Sequence, residues 1–323
     1  MAQIFSLLQA AIVFATVILY GAMGEILTEK SGNLNLGVPG IMYLGGIGGL
    51  AGAFLYENSV SDPNGFVGLL IAMAAALAAS VFAGLIYSFL TITLRANQNV
   101  TGLTLTIFGT GVANFFGGAM NNMAGGVGQI SVAATSRAYR ATLPFLSNVS
   151  VLSSIGFMVY LAIIIAFVLS RFLSSTRKGL NLRAVGENPA TADAAGISVG
   201  KYKYIATCIG AAITGLGGLY YVMDYIKGTW AIDGGIAKLG WLAVALVIFS
   251  RWKPKHAIWG SFLFGTLFWL YYYIGGLTRS SQELFKMLPY VVTILVLIVV
   301  SIRRRRENRP PESLGLPYFR EER

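Results

Sequence analysis

The 323-residue sequence has one cysteine, Cys208, and one histidine, His256. A disulfide within the chain is therefore impossible, and no Cys/His metal cluster can be assembled. Charge is scarce as well. Only 11% of the residues are charged and 55% are hydrophobic, whereas soluble domains carry about a quarter charged residues. The mean hydropathy is +0.68. A His-based catalytic triad would have to use His256, which lies in the basic segment SRWKPKHAIWG and reads as a solvated loop residue. Carboxylates are nearly missing from the apolar runs: Glu25 and Glu29 stand at the end of the first, and Asp224 ends the sixth. A proton-coupled carrier needs a buried carboxylate or His relay. The sequence shows none, which argues against an ion-driven carrier, and it offers no residues for a catalytic, metal or cofactor site.

What is present is apolar length. Hydrophobic runs occur near residues 4–23, 34–55, 66–94, 100–118, 151–170, 202–223, 239–250, 257–277 and 287–302. About 20 apolar residues cross the hydrocarbon core as a helix. Some runs are short, or interrupted by Gly, Asn and Thr. The sequence predicts an all-α polytopic membrane protein with eight or nine transmembrane helices, some of them short or broken. The first positive residue is Lys30. The basic start of a cleaved signal peptide is absent, and the first run is expected to stay as a helix. Residues 1–302 read as one membrane domain and 303–323 as a basic cytoplasmic tail. Its RRRR cluster and Pro310-Pro311 predict a flexible segment near anionic lipid headgroups.

The net charge of +11 acquires meaning once the charges are placed. With nine crossings, 18 of the 24 Lys and Arg fall on one side. The other side holds Arg137, Arg140, Lys227, Lys238, Arg279 and Lys286. This bias predicts an outside N-terminus and a cytoplasmic C-terminus. The charge is a topology signal, and nucleic acid is excluded as a partner.

Several motif-like strings carry no chemistry. GISVGK (196–201) has three residues between its glycines where a phosphate-binding loop needs four, and Tyr202 follows in place of Ser or Thr. GGIGGLAG (45–52) lies in an apolar run. It reads as close helix packing through Gly45/Gly49 and Gly48/Gly52. NVT (99–101) and NVS (148–150) fit the glycosylation pattern only weakly.

Three stretches do stand out. RAVGENPATADAAGISVGKYK (183–203) lies on the basic side. It predicts a helix of about two turns, with Asn188 as N-cap, Pro189 at the first position and Gly196 as the left-handed stop. Two turns do not hold alone in water, so the helix needs something to pack against. GEILTEKSGNLNLGVPGIMYLGG (24–46) and RANQNVTGLTLTIFGTG (95–111) break the apolar pattern with Asn, Thr and Gly. Irregular backbone at membrane depth survives only against protein or a water-filled cavity, and broken helices are how many transporters line a path. Asn33, Asn35, Asn97, Asn99, Thr101 and Thr104 are the candidate path residues; ordinary interhelical hydrogen bonding is the competing reading for each.

Together these stretches resemble the permeases of bacterial ABC importers in the ribose/branched-chain amino acid permease family. The likeness is greatest to nucleoside-type (purine nucleoside/simple sugar) import permeases and covers about residues 4–302. One departure is Pro39, where nucleoside relatives tend to carry Glu after NLGV. The resemblance implies a multi-pass permease of the bacterial inner membrane that catalyses no bond chemistry itself. Its implied partners are an ATP-binding cassette ATPase, a second permease subunit in a heterodimer and an extracytoplasmic substrate-binding protein. It also implies that the short helix couples to the ATPase through Glu187, Asn188, Pro189, Ala190, Ala194, Ala195 and Gly196, with Arg183 and Glu187 at the rim. The cargo it implies is a nucleoside. Ribose-like sugars or branched-chain amino acids carried by the same machinery, an ion-coupled secondary transporter and a membrane enzyme are the alternatives.

Overall fold

The computed structural model describes residues 2–123, 130–141, 155–274, 276, 278–303 and 309–320. The arginines at 304–306 and the NVS sequence at 148–150 lie outside them. Among the described residues the chain is helical, with an isolated β bridge between Ser131 and Thr229. The helices are α1 (Ala2–Glu29), α2 (Val38–Ser59), α3 (Gly65–Ser88), α4 (Gln98–Met123), α5 (Ala133–Tyr139), α6 (Phe157–Ser175) and α7 (Arg177–Glu187). They continue with α8 (Pro189–Ala194), α9 (Val199–Tyr220), α10 (Gly235–Phe249), α11 (Pro254–Tyr273), α12 (Arg279–Lys286) and α13 (Leu288–Arg303). Two of them run on into a π-helical turn: α3 into Phe89–Thr93, and α9 into Tyr221–Tyr225. Each turn is closed by a non-glycine residue in the left-handed region, Arg95 at φ 58° and Lys227 at φ 59°.

Among the described residues, six helices are long and apolar enough to cross a membrane: α1, α2, α3, α4, α6 and α9; α10 is a shorter apolar helix. The expected eight or nine exceeds this number for a local reason. Helix α11 carries Lys255 and His256 in its first turn, and α13 has 16 residues, fewer than the roughly 20 of a full span. Large apolar side chains stand exposed on the outer helices, among them Phe66 and Phe82 of α3, Ile107 and Phe115 of α4, and Phe167 and Val168 of α6. Such surfaces are unfavourable in water and suit hydrocarbon.

Helices α1, α2 and α9 form the centre; α9 packs on α1, α2 and α3, and α2 on α3 and α4. Glycine sets these distances. A Cβ on Gly218 would lie 1.8 Å from the Met42 carbonyl oxygen, and one on Gly45 would lie 2.5 Å from that of Gly215. Both small-residue pairs of α2 serve a neighbour. Gly45 and Gly49 meet α9, while Gly48 and Gly52 face Ala79 and Ala75 of α3. Pro39 lies in the first turn of α2, where its missing N–H breaks no hydrogen bond, and its ring lies against Gly240 of α10.

Candidate functional site

The small helix α8 is built from its caps inward. The Asn188 side-chain oxygen accepts a hydrogen bond from the Thr191 N–H at 3.0 Å, and Pro189 occupies the first turn. Gly196 stops the helix at φ +81°. Its N–H donates to the Asp193 carbonyl and that of Ile197 to the Ala192 carbonyl. Only Ala192 is buried, against Val185 and Val199. Asn188, Ala190, Ala194, Ala195 and Gly196 are exposed, as is Glu187 just before them, and Pro189 is half-buried. A patch of small side chains therefore faces away from the protein. Arg183, one turn before Glu187 on α7, belongs elsewhere and lines a basic cavity with Lys30 and Lys253.

The tail was expected to be flexible, and the structure corrects this for its described part. Pro311 and Ser313 are buried. The Ser313 N–H and hydroxyl both donate to the Gly186 carbonyl, at 3.1 and 2.6 Å, and the Gly315 N–H donates to the Gly32 carbonyl at 3.3 Å. The Tyr318 hydroxyl donates to the Asp193 carboxylate at 2.9 Å, and the Arg320 guanidinium lies 3.2 Å from the same oxygen. Arg95 covers the Phe319 ring at 4.5 Å. The segment has no helical periodicity, and it is held through backbone groups and single side chains. It straps α7 and α8 to the loop after α1.

That loop, residues 30–37, is irregular backbone inside the protein, and polar side chains satisfy it as burial demands. Glu25 accepts from the Asn35 N–H at 3.0 Å, and Gln98 from the Leu34 N–H at 2.7 Å. Tyr87 donates to the Leu34 carbonyl, and Thr106 donates to that of Leu36 at 2.9 Å. The Asn35 oxygen accepts from the Gly37 N–H at 2.9 Å. Asn33 donates to Thr207 at 3.3 Å, while its own side-chain oxygen is buried with no partner. Asn97 caps α4, accepting from the Val100 N–H at 3.1 Å, and its carbonyl accepts from the Thr101 hydroxyl at 2.8 Å.

The structure thus brings Asn33 and Asn35 together inside the loop. Asn97, Asn99 and Thr104 are exposed at the start of α4, and Thr101, one turn after Asn97, is buried. Thr101, Thr104 and Tyr87 line a cavity of about 350 Å³ whose other walls, such as Ile86, Leu90 and Phe108, are apolar. Sequence reasoning missed Gln98, Tyr87 and Thr106, because their partners lie 53 to 70 residues away in the chain. It placed Glu25 and Glu29 at a helix end. Both are buried in the structure, Glu29 accepting the Trp252 indole N–H. The one available signal was their spacing of four residues, which puts both on one side of α1.

Among the described residues no three His, Cys, Asp or Glu side chains come together to hold a metal. Several apolar spans around a loop hydrogen-bonded inside them, with a capped helix set outside, define a multi-pass membrane permease. A model of the family described as branched-chain amino acid transport system / permease component matches residues 7–297. The chain belongs to this family. It is 33% identical to the "Putative glucose ABC transporter permease protein" of Haloferax volcanii over 98% of both chains. It is 30% identical to the nucleoside ABC transporter permease protein of Lactococcus lactis, over 88% of this chain and 89% of that one. It is also 30% identical to the guanosine ABC transporter permease protein of Bacillus subtilis, over 98% of both. The chain is a permease component of an ABC transporter. ATP is hydrolysed on a separate subunit, and the transporter includes a substrate-binding protein.

Proposed function

We propose that this chain is one of two unlike permeases in an importer of nucleosides, moved by a separate ATPase through α8. The observation that carries the coupling reading is the exposed patch of α8. A six-residue helix is buried at one alanine, while Ala190, Ala194, Ala195 and Gly196 offer a surface on which another protein can approach closely. Asn188 and Pro189 fix its start, Glu187 supplies charge beside it, and Arg183 does so only from the basic cavity one turn earlier on α7. Pairing with a second permease is supported by further matches to the Lactococcus lactis and Bacillus subtilis systems. Each contributes another permease protein, at 24% and 22% identity.

In this reading α10, α11 and α13 join the six long helices to complete nine crossings, the shorter ones accommodated by local thinning of the bilayer. The first helix starts outside, and the tail lies in the cytoplasm of a bacterial cell. Exposed positions on the two sides test the arrangement. In a Cys208→Ala background, Arg137→Cys should react with an impermeant maleimide in intact cells, and Thr191→Cys should react only after lysis. The reverse pattern overturns the orientation.

The solute passes Asn33, Asn35, Asn97, Asn99, Thr101 and Thr104, with the exposed side of α4 turned toward the second permease. The cavity at Thr101 and Thr104 has hydroxyls and apolar walls but no charged side chain. That suits a neutral solute with hydroxyl groups and a flat apolar part. A simple sugar is the second reading, favoured by the Haloferax volcanii relative named for glucose. The complete importer, reconstituted with its binding protein, should take up labelled guanosine and uridine when ATP is supplied. Uptake of glucose alone selects the sugar reading, and uptake of leucine alone overturns both.

A further inference from the structure

A second cavity, of about 690 Å³, lies between the end of α6, helix α7 and the turn joining α10 to α11. Its charge is one-sided. Lys30, Arg183, Arg251, Lys253, Lys255 and Arg309 line it, against a single carboxylate, Glu187. The Arg183 Nε is buried with no hydrogen-bond partner. Burial pushes the Lys30 ammonium below its usual range, and Arg183 and Lys253 push the same way, with Glu187 and Glu29 opposing. Cations crowded into partial burial in this way are a favourable environment for an anion.

The turn that brings three of these cations together is strained. Arg251 and Trp252 are consecutive non-glycine residues in the left-handed region, at φ 57° and 54°. Such conformations persist only where the surroundings over-determine them, and they gather at ligand sites. Here the anchor is Trp252, buried and donating its indole N–H to Glu29. Helix α11 starts at Pro254 on the cavity wall, so its positive end adds to the field.

The rest of the lining decides what kind of anion fits. Leu173, Leu180 and Trp252 give the cavity an apolar side. Ser170 reaches into it from five residues before the end of α6, about 8 Å along the helix axis. Ile164, Phe167 and Val168 of the same helix are exposed where hydrocarbon would lie. The cavity thus joins a basic rim to a wall on α6 whose preceding turn carries exposed apolar side chains. A soluble phosphate needs the rim alone. A phospholipid uses both parts, its phosphate among the cations and its first acyl carbons along the leucines.

We propose that this cavity binds the phosphate headgroup of an anionic phospholipid from the adjoining leaflet. The inference rests on the cavity and the membrane, not on the solute carried or on coupling through α8. The test is native mass spectrometry of the purified chain in mild detergent. It is titrated in parallel with phosphatidylglycerol, phosphatidylcholine, glycerol 3-phosphate and inorganic phosphate. One phosphatidylglycerol should be retained in preference to phosphatidylcholine, and millimolar phosphate or glycerol 3-phosphate should not displace it. The double variant Arg183→Gln/Lys255→Gln should bind it roughly thirtyfold more weakly. The equally charge-reduced Arg177→Gln/Lys178→Gln, outside the cavity, should bind as the parent does. Should the Arg183 variant not fold, Lys255→Gln/Arg309→Gln, at two exposed positions, tests the same claim. Equal retention of phosphatidylcholine, or equal weakening by both charge pairs, overturns the proposal. Displacement by inorganic phosphate assigns the site to a soluble anion instead. Loss of the lipid when the ATPase is bound assigns the surface to that protein, and also counts against the lipid.

Discussion

Ala194→Trp should leave the protein inserted in the membrane at its normal level and reduce ATP-driven uptake roughly a hundredfold. Ala194 is exposed on α8 while the helix is anchored through Ala192, so an indole there does not strain the permease itself. It adds about 200 Å² of surface where a partner is expected to close on small side chains. Overpacking costs about 1–3 kcal/mol, and the upper part of that range corresponds to roughly a hundredfold in association. Ala194→Ser, which adds one hydroxyl, should transport normally. The measurements are co-purification of the ATPase, ATP hydrolysis stimulated by the loaded binding protein, and uptake. A tryptophan variant that assembles and transports like the parent would make α8 a surface connector between α7 and α9, with no part in coupling.

Gly218→Val should cost more than any surface change, because it attacks the closest backbone approach in the centre of the protein. Even a Cβ at that position would sit 1.8 Å from the Met42 carbonyl oxygen and 3.0 Å from the Gly46 nitrogen. Backbone cannot rotate away as a side chain can, so α2 and α9 would have to separate along their length. The expected loss is about 3 kcal/mol or more. It would be read as lower thermal stability and aggregation in size-exclusion chromatography of the detergent-solubilised protein. Gly111→Val is the control, since a Cβ there meets nothing within 4 Å; the variant should elute and melt like the parent. Equal behaviour of the two would mean that α2 and α9 tolerate separation.

The contrast between those two glycines marks how far the sequence can be read. Gly45, Gly49, Gly48 and Gly52 announce close packing by their spacing alone, and the structure finds a neighbour for each pair. The caps of α8 were legible for the same reason, since Asn188, Pro189 and Gly196 act on backbone within a few residues. Gly218 and Gly111 look alike in sequence, because what separates them is the helix opposite. The loop at 30–37 shows the same limit. Its asparagines signal that the backbone leaves the helix, but the groups that hold it come from Glu25, Tyr87, Gln98 and Thr106. The strap at 311–320 was illegible for another reason. It lacks periodicity, and its contacts are the carbonyls of Gly32 and Gly186, which no side-chain pattern reports, and single side chains, Asp193 and Arg95, far away in the sequence.

The strap also bears on the order of assembly. Residues 313–320 leave the ribosome after every membrane helix described here, yet Tyr318 and Arg320 contact Asp193, which was made about 125 residues earlier. A chain stopped after α13 would insert its helices and bury its centre while α8 lacked those two contacts. The surface proposed to receive the ATPase is therefore finished last. A fusion or truncation near residue 320 should therefore disturb partner docking before it disturbs insertion.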